Sequence, residues 1–295
     1  MENIIVCNTA NDSISKVDLE KNSISTMTLN LGGERNGPRN LDIQGESAVI
    51  TNCYSDSITF IDLKEFKEKE NYKVDRYPKD IKWRKNYIYI ACGDSNSILF
   101  FNERRREVDF SVKVGEYPSS IAIDKNEKNI YVANMNSNSL SIINNEKKIK
   151  IKDIKLKDMP TKIMLSEDEK YMYTCQNSFE GSKKGYLRIY EVNTFKLIKE
   201  YNLGYFPSDI AIKDGIAYIT NLGDGSVSIL NLKDGNSFRV IVGGMPKGVL
   251  KIKEEIVVAD YYRGELIFIH ETLMKKKSLA IGVEPNAMAI VSQFH

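Results

Sequence analysis

Histidine and cysteine are scarce in this chain, and their scarcity narrows the chemistry that it can carry. Only His270 and His295 occur among 295 residues, which disfavours mechanisms that need a histidine base or several histidine metal ligands. The four cysteines include no CxxC pair, and they are too few for a disulfide scaffold or a zinc site. We expect them to be small buried side chains, with a reactive thiol at Cys92 as the alternative. The four are Cys7, Cys53, Cys92 and Cys175.

The chain also lacks a dominant charge and any long hydrophobic run. Its 42 Lys and Arg residues against 40 Asp and Glu residues leave a net charge of +2, without a bulk preference for nucleic acid or anionic membrane. Its longest uncharged apolar stretches, such as residues 87–92, are far shorter than the roughly 20 residues that cross a bilayer. The first residues lack the basic segment and apolar core of a secretory signal. We expect a soluble cytoplasmic monomer that holds no cofactor and does not contact a membrane.

Proline is absent outside one regular series, and this series shows an internal repeat. The spacings are 40, 40, 42, 47, 39 and 39 residues, between Pro38, Pro78, Pro118, Pro160, Pro207, Pro246 and Pro285. An apolar residue follows every proline at the third position, and another follows at the fifth position in six of the seven repeats. This period of two predicts a β-strand at each proline. Proline suits a strand entry because it has no N–H group to lose from the ladder.

A four-residue signature accompanies each repeat and predicts a second strand. Its clearest copies are residues 131–134 and 218–221, which read Tyr-Val-Ala-Asn and Tyr-Ile-Thr-Asn. In six repeats an apolar residue stands six positions after the signature, across a turn rich in Asn, Asp, Ser and Gly. This arrangement predicts a hairpin to a third strand, which a fourth, outer strand follows. In the fifth repeat the distance is eleven, so the loop at 177–185 contains five extra residues.

The repeat of about 40 residues predicts a seven-bladed β-propeller, an all-β ring with four antiparallel strands in each blade. No segment of about 10–15 residues has a convincing helical period, which argues against an α/β fold. The chain begins at a second strand and ends after a first strand, so residues 286–291 are expected to join the N-terminal blade and close the ring. We expect one domain, residues 1–295. Blade 1 is expected to contain 1–35 plus 283–295, and blades 2–7 to occupy 36–282.

The repeated Pro-x-x-Ile-x-Ile, Tyr-Val-Ala-Asn and Ser-Val-Ser-Ile segments resemble those of the YVTN-repeat β-propeller family, over essentially the whole chain. The resemblance implies the propeller fold and a binding protein, without indicating the ligand, because fold does not fix function. Propeller lyases that are similar in blade pattern use a histidine at the channel mouth. Here His270 falls in the third strand of blade 7 and His295 is the last residue, so neither is expected at the mouth.

The binding site is expected on one face of the ring, here called the top face. There the turns from strand four to strand one and from strand two to strand three meet around the channel mouth. Aromatic residues before the prolines and charged residues after them have the composition of a recognition surface. The alternative is that each aromatic side chain only packs on the neighbouring blade. The predicted binding residues are Arg39, Tyr77, Asp80, Tyr117, Lys162, Phe206, Asp209, Tyr261 and Arg263.

We favour a noncatalytic scaffold that binds an unknown protein, peptide or small ligand at the top face. The first alternative is a lactonase-like hydrolase that uses carboxylates and a divalent cation, with oxygen ligands from Asp80, Asp209 and Asp260. These aspartates recur by repeat position, however, which favours solvated or turn-capping roles. The sequence itself predicts no metal site and no catalytic residue.

Three other features, namely the basic runs, the inserted loop and the signature asparagines, allow a functional as well as a structural interpretation. The basic runs at 104–106, 147–148 and 275–277 would serve single-stranded nucleic-acid binding only if they aligned into a stripe. The inserted loop at 177–185 is either a partner-contacting lid or a neutral insertion. The asparagines that end the signatures are expected to bond backbone groups at strand ends rather than a ligand.

Overall fold

The computed structural model describes residues 2–178 and 184–292, and each sheet in this part of the chain has four antiparallel strands. There are seven such sheets, one for each predicted blade. The inner strands of neighbouring blades contact one another around a closed circle. The predicted all-β, seven-bladed propeller is therefore confirmed. Within the same residues no helix has the length and apolar character needed to cross a membrane.

The strands are numbered along the chain, and each blade is given from the channel outward. Blade 1 contains β28 (Pro285–Ser292), β1 (Glu2–Asn8), β2 (Ser13–Asp18) and β3 (Ser23–Thr28); blade 2 contains β4 (Pro38–Gln44), β5 (Ser47–Asn52), β6 (Ser57–Asp62) and β7 (Lys67–Lys73); blade 3 contains β8 (Pro78–Arg84), β9 (Tyr87–Cys92), β10 (Ser97–Asn102) and β11 (Glu107–Lys113). Blade 4 contains β12 (Pro118–Ile123), β13 (Asn129–Asn134), β14 (Ser139–Asn144) and β15 (Ile149–Lys155); blade 5 contains β16 (Met159–Leu165), β17 (Tyr171–Ser178), β18 (Lys184–Glu191) and β19 (Leu197–Leu203). Blade 6 contains β20 (Pro207–Lys213), β21 (Ile216–Asn221), β22 (Ser226–Asn231) and β23 (Ser237–Ile241); blade 7 contains β24 (Pro246–Ile252), β25 (Glu255–Asp260), β26 (Glu265–His270) and β27 (Lys276–Ala280).

The C-terminal strand closes the ring, as the sequence predicts. β28 pairs antiparallel with β1, with Ile290 opposite Ile4 and Met288 opposite Val6. β28 also contacts β24 and β4, the inner strands of the blades on either side. Because the innermost strand of blade 1 comes from the other end of the chain, the ring has no open edge between its first and last blades.

The hydrophobic core lies between the blades. Val49 and Ile58 of blade 2 pack with Ile81 and Ile90 of blade 3 in one buried cluster, and a similar cluster fills each of the other junctions. Complete burial of a side chain of this size contributes about 1.5–3 kcal/mol relative to exposure. The apolar positions that alternate after each proline are thus the positions that face a neighbouring blade.

The asparagines of the signature bond side chains, which corrects the prediction that they bond backbone groups. The amide of Asn134 donates to the hydroxyls of Ser139 (3.1 Å) and Ser141 (2.9 Å). The equivalent pair of bonds is made by Asn8, Asn52 and Asn221. The backbone groups at these positions already belong to the sheet ladder, so the amide instead links the second and third strands of its own blade. These buried residues have a structural role.

Blade 5 departs from this arrangement. Gln176 stands in place of the asparagine, and Arg188 stands where blades 1, 2, 4 and 6 have the second hydroxyl. Arg188 is fully buried and pairs with Asp158 (2.6 Å) and Glu200 (2.6 Å). A buried arginine requires such partners, because an unpaired charge inside a protein is strongly unfavourable. The centre of the inserted loop, residues 179–183, lies outside the described residues.

All four cysteines are buried and none forms a disulfide, which confirms that they are small buried side chains. Burial raises the pKa of the Cys92 thiol, which opposes the thiolate that a reactive cysteine needs. Cys92 occupies the asparagine position of blade 3, and in that blade Ser97 donates its hydroxyl to Asp75 (3.0 Å) instead. Asp75 therefore takes over, in blade 3, the bond to the serine hydroxyl that an asparagine makes in other blades.

Candidate ligand-binding site at the channel mouth

Six of the seven inner strands contain a β-bulge at the residue directly after the proline. In blade 2, Pro38 pairs with Asn52 and Asn40 pairs with Thr51, so Arg39 is left without a partner in β5. The same shift follows the prolines of blades 3 to 7, and β28 is also irregular near its start. Because a bulge re-aims the side chain of the extra residue, this one backbone feature recurs as a ring of side chains at the channel mouth.

These seven post-proline residues line one cavity of about 420 Å³, here called the mouth cavity. They are Arg39, Lys79, Ser119, Thr161, Ser208, Lys247 and Asn286. The volume falls within the range of about 300–1,000 Å³ that is usual for small-molecule sites. The mouth cavity is therefore the candidate functional site.

On one half of the ring the post-proline side chains are hydroxyls that already have acceptors. Ser119 donates to the carbonyl of Pro160 (3.2 Å) and Ser208 donates to the carbonyl of Pro246 (3.2 Å). Thr161 makes the equivalent bond in blade 5. Each acceptor is the proline of the next blade, so these hydroxyls tie blades 4 to 7 together. Their bonding capacity is mostly used within the protein.

On the other half of the ring three cations line the mouth cavity: Arg39, Lys79 and Lys247. Within the described residues none of them forms an ion pair with a carboxylate. Arg39 donates to the hydroxyl of Tyr77 (3.3 Å), and Nζ of Lys79 lies 3.8 Å from the sulfur of Met135. Uncompensated positive charge in a concave site attracts anions.

Each of the three cations lies over the ring of a tyrosine. The distances from the cation to the ring centroid are 4.2 Å for Lys79 over Tyr117, 4.6 Å for Lys247 over Tyr261 and 5.5 Å for Arg39 over Tyr77. Such contacts stabilise a cation by about 0.5–2 kcal/mol. They hold the three charges in place at the mouth without neutralising them.

Burial and mutual repulsion make it harder for the two lysines to keep their protons. Burial first, and the charge of Arg39 second, lower the pKa of Lys247 to about 7. The same two causes, followed by the charge of Lys247, lower the pKa of Lys79. An anion placed among the three groups would favour their charged forms and oppose this shift. Perturbed pKa values of lysines in a cleft are typical of functional sites.

Strained turns present the aromatic residues that precede the prolines. Tyr77, Tyr117 and Phe206 have φ values of 57°, 55° and 56°, a left-handed conformation that is uncommon for bulky residues. The backbone N–H of Tyr77 donates to Asp56 (2.7 Å) and that of Tyr117 donates to Asn96 (2.8 Å). Hairpin loops of the preceding blade thus hold these turns in place. The left-handed conformation itself costs about 1–3 kcal/mol for each such residue.

Apolar side chains line the rest of the mouth cavity, from Met135 next to Lys79 to the far side of the ring. Met135, Phe206 and Leu222 belong to blades 4 and 6 and to the turn between blades 5 and 6, and Met245 precedes blade 7. All four are only partly buried. The mouth cavity therefore has a cationic side on blades 7, 2 and 3 and an apolar side on blades 4 to 6.

Most of the predicted binding residues meet at this cavity. Six of the nine line it, namely Arg39, Tyr117, Lys162, Phe206, Asp209 and Tyr261. Tyr77 lies at its edge, with its ring centroid 6.0 Å from that of Tyr117. Tyr77 and Tyr117, which precede prolines, thus pack on each other as well as on the cations.

Lys162 and Asp209 form an ion pair across 3.0 Å between blades 5 and 6. Both line the mouth cavity and also the central channel behind it, a second cavity of about 570 Å³. Despite burial, the carboxylates of Asp209 and Asp80 raise the pKa of Lys162. The pair therefore lies between the mouth cavity and the channel, and its two charges largely cancel.

Asp80 and Arg263 lie outside the mouth cavity. Asp80 is 1% exposed, and its carboxylate accepts the backbone N–H of Ile121 (2.7 Å) and the amide of Asn40 (2.7 Å). It thereby joins the inner strands of blades 2, 3 and 4. Arg263 is half-exposed at the rim of the top face and donates to the carbonyl of Val242 (3.2 Å). Asp80 is thus placed to support the site rather than to touch a ligand.

Lys79 and Lys247 lie on the top face and line the cavity, but the predicted set of binding residues lacks them. In a regular strand the residue after the proline would share a face with the third and fifth residues, which belong to the core. A lysine or arginine at that position conflicts with the alternation. This conflict is the sequence signal of the bulge, and it recurs at Arg39, Lys79 and Lys247.

The carboxylates of the hydrolase alternative lie in separate settings. Asp80 and Asp209 are engaged as described above, and Asp260 accepts backbone N–H groups from the turns on either side of it. Within residues 2–178 and 184–292, no three His, Cys, Asp or Glu side chains are grouped to hold a metal ion. His270 ends β26 and does not line the mouth cavity, and His295 lies outside the described residues.

The basic runs lie in or next to the turns between the third and fourth strands of blades 3, 4 and 7. In the first run, Arg105 pairs with Glu107 (3.0 Å) and Arg106 pairs with Glu70 (2.9 Å). The first pair is exposed, as is typical of a solvated surface, and Arg106 of the second is partly buried over the ring of Phe60. Nucleic-acid binding therefore stays a prediction without further support from this region.

Comparison with known proteins bears on the fold. Neither the models of known protein families nor the curated proteins gave a match. Among solved structures, a chain from Kuenenia stuttgartiensis hydrazine synthase is similar, with a TM-score of 0.77 and 16% sequence identity, over 87% of this chain and 92% of that one. At this identity the similarity concerns the fold alone. The chain is thus a seven-bladed β-propeller, while its membership of the YVTN-repeat family stays a prediction.

Proposed function

We propose that this chain is a noncatalytic binding scaffold whose mouth cavity binds a ligand with an anionic group. The observation that carries the proposal is the set of three cations, Arg39, Lys79 and Lys247, that line one cavity without a carboxylate partner among the described residues. Their mutual repulsion is unfavourable as long as no anion lies among them. A bound anion relieves that repulsion, so the clustering of the three basic side chains, which the fold maintains, favours anion binding.

The rigid setting of the cations supports binding. Each stands on a bulge of an inner strand, and each packs on a tyrosine ring. A site that is ordered before the ligand arrives loses little conformational entropy on binding. The ring of blades therefore serves as a frame that holds the three basic side chains in one cavity.

A hydrolase that uses carboxylates and a divalent cation has less support than a binding scaffold. The aspartates proposed for it already accept backbone N–H groups or pair with Lys162. A divalent cation in the mouth cavity would also be repelled by Arg39 and by each of the two lysines that carries its proton. The identity of the partner and a cytoplasmic location stay predictions.

Thermal unfolding with small anions tests the proposal. Inorganic phosphate, acetate and benzoate are added separately, below neutral pH, to the wild type and to the double variant Lys79→Met/Lys247→Met. Methionine keeps an unbranched side chain but removes the charge. Lys64→Met, an exposed lysine in a turn of blade 2, is the matched control.

We expect at least one of these anions to stabilise the wild type. A ligand at 100 times its Kd adds about 2.7 kcal/mol to the free energy of unfolding. The shift should persist in Lys64→Met and disappear in the double variant. The proposal is wrong if none of the three anions stabilises the wild type, or if the double variant responds as strongly as the wild type.

A further inference from the structure

We infer that the ligand of the mouth cavity is a small amphipathic acid, with an anionic head and an apolar or aromatic body; this inference rests on the proposed function. The two sides of the cavity differ in chemistry, with cations on blades 7, 2 and 3 and apolar side chains on blades 4 to 6. An inorganic anion would contact only the first side. A ligand that uses the whole lining has both parts.

The cationic side recognises the head. Arg39, Lys79 and Lys247 flank Asn286 of blade 1 along one arc of the ring, and the amide of Asn286 donates to Thr9 (3.3 Å). Charge-assisted hydrogen bonds to a carboxylate are about twice as strong as neutral ones. A carboxylate or another compact anion therefore binds on this arc.

The apolar side contacts the body. Met135, Phe206 and Leu222 are partly exposed to the cavity, while the hydroxyls on the same half of the ring are bonded to carbonyls of the next blade. A ligand therefore needs few hydrogen-bonding groups on this half of the ring. Burial of apolar surface there favours binding in proportion to the area removed from water.

The dimensions of the cavity limit the ligand to a small molecule. Its volume is about 420 Å³, near the lower end of the usual range of about 300–1,000 Å³. Below it lies the ion pair of Lys162 and Asp209 (3.0 Å). Because the two charges of this pair largely cancel, an anionic group gains little by binding there. The head therefore binds at the side of the cavity and the body spans its width.

Isothermal titration with matched probes tests the class of ligand. Naphthalene-2-carboxylate has a head and a body, acetate and inorganic phosphate have only a head, and naphthalene-2-carboxamide is the neutral isostere. Lys247→Met removes part of the cationic side, and Leu222→Asn and Met135→Ser each change the apolar side. Leu31→Asn, at an exposed leucine in the turn before blade 2, is the control. Far-UV circular dichroism confirms that each variant is folded.

We expect naphthalene-2-carboxylate to bind the wild type at least about tenfold more tightly than acetate, phosphate or the carboxamide, a difference of about 1.4 kcal/mol or more. Leu222→Asn should weaken the naphthalene acid at least about threefold and leave acetate unchanged. Met135→Ser also removes the sulfur that contacts Lys79, so it should weaken the naphthalene acid by more than it weakens acetate. Lys247→Met should weaken both acids. Leu31→Asn should change neither.

The remaining outcomes separate the inference from the proposed function. If acetate or phosphate binds as tightly as the naphthalene acid, the cavity is an anion site but the amphipathic class is wrong. If the carboxamide binds as tightly as the acid, the cations do not select the ligand and both statements fail. If no probe binds the wild type, both statements fail as well.

Discussion

Lys247 faces charged and titratable groups from several elements, and these decide how it responds to pH. Arg39 lowers its pKa, whereas the charges of Glu284 and of a Cys53 thiolate would raise it. Tyr261 packs against its ammonium at 4.6 Å. Burial and Arg39 prevail and bring the pKa to about 7. The positive charge of the mouth therefore changes across neutral pH.

Anion binding should weaken as the pH rises through 7. The anion binds the protonated form of Lys247, whose pKa in the free protein is about 7, so that form is fully present below this pH and lost above it. One proton linked to binding changes the affinity by at most about tenfold per pH unit. Titration calorimetry of benzoate at several pH values, in buffers with different ionisation enthalpies, measures both the affinity and the proton uptake. In Lys247→Met the uptake should fall, and an affinity in the wild type that is constant from pH 6 to pH 9 would contradict the assignment.

The signature asparagines should matter for stability and not for binding. In Asn221→Ala the hydroxyls of Ser226 and Ser228 lose a buried donor, and each lost bond of this kind destabilises by about 0.5–1.5 kcal/mol. We expect a total loss of about 1–3 kcal/mol in urea unfolding, with the affinity for benzoate unchanged. Asn236→Ala, in an exposed turn of the same blade, is the control and should be nearly neutral. A loss of benzoate binding without a loss of stability would assign the asparagine to the site instead.

At the scale of the element, the β-bulge explains what the sequence could and could not predict. Proline spacing and alternation predict the inner strands, because both follow directly from the pleat of a strand. The bulge breaks the alternation by one residue, so a regular strand would place Arg39, Lys79 and Lys247 in the core. The correct placement needs the conflict between their charge and that position to be recognised. On the apolar side the position before a proline pointed to Phe206, but Met135 and Leu222 gave no such signal, because a methionine or leucine in a hairpin turn resembles a core residue.

Blade 5 offers a test at the same scale, since a buried ion pair replaces the usual hydroxyl. Arg188→Ser leaves Asp158, which is 7% exposed, without its partner. Removing one member of a buried pair destabilises a protein by about 3–5 kcal/mol, and we expect a loss of that size in urea unfolding. The double variant Arg188→Met/Asp158→Asn removes both buried charges, leaves unpaired only Glu200, which is 37% exposed, and should recover at least half of the loss. A loss below about 1 kcal/mol in the single variant would show that the pair contributes little.

At the scale of the whole molecule, seven similar repeats made the ring predictable. Each repeat confirms the strand assignments of the others, and the truncated repeats at the two ends of the chain predict the closing strand. Recurrence also helps to separate structural from functional residues, because residues that are repeated in every blade build the ring. The asymmetry of the mouth comes from side chains that vary between blades at one shared position, so it appears only once the ring has placed them side by side.

The closing strand allows a matched test of ring closure. Val291 is 7% exposed and belongs to the core cluster between blades 1 and 2, whereas the neighbouring Ile290 is 38% exposed and lines the channel. Val291→Asp buries a charge and should destabilise the protein by about 4 kcal/mol or more. Ile290→Asp points to the channel and should cost far less. Equal losses for the two variants would mean that β28 does not hold the register described.

The most direct test of the mouth as an anion site is a crystal structure with 4-bromobenzoate, in which anomalous scattering locates the bromine. We expect the carboxylate within hydrogen-bonding distance of at least two of Arg39, Lys79 and Lys247, and the bromine directed toward Leu222. A ligand bound elsewhere, a carboxylate turned away from these cations, or an empty mouth at a saturating concentration would contradict the account.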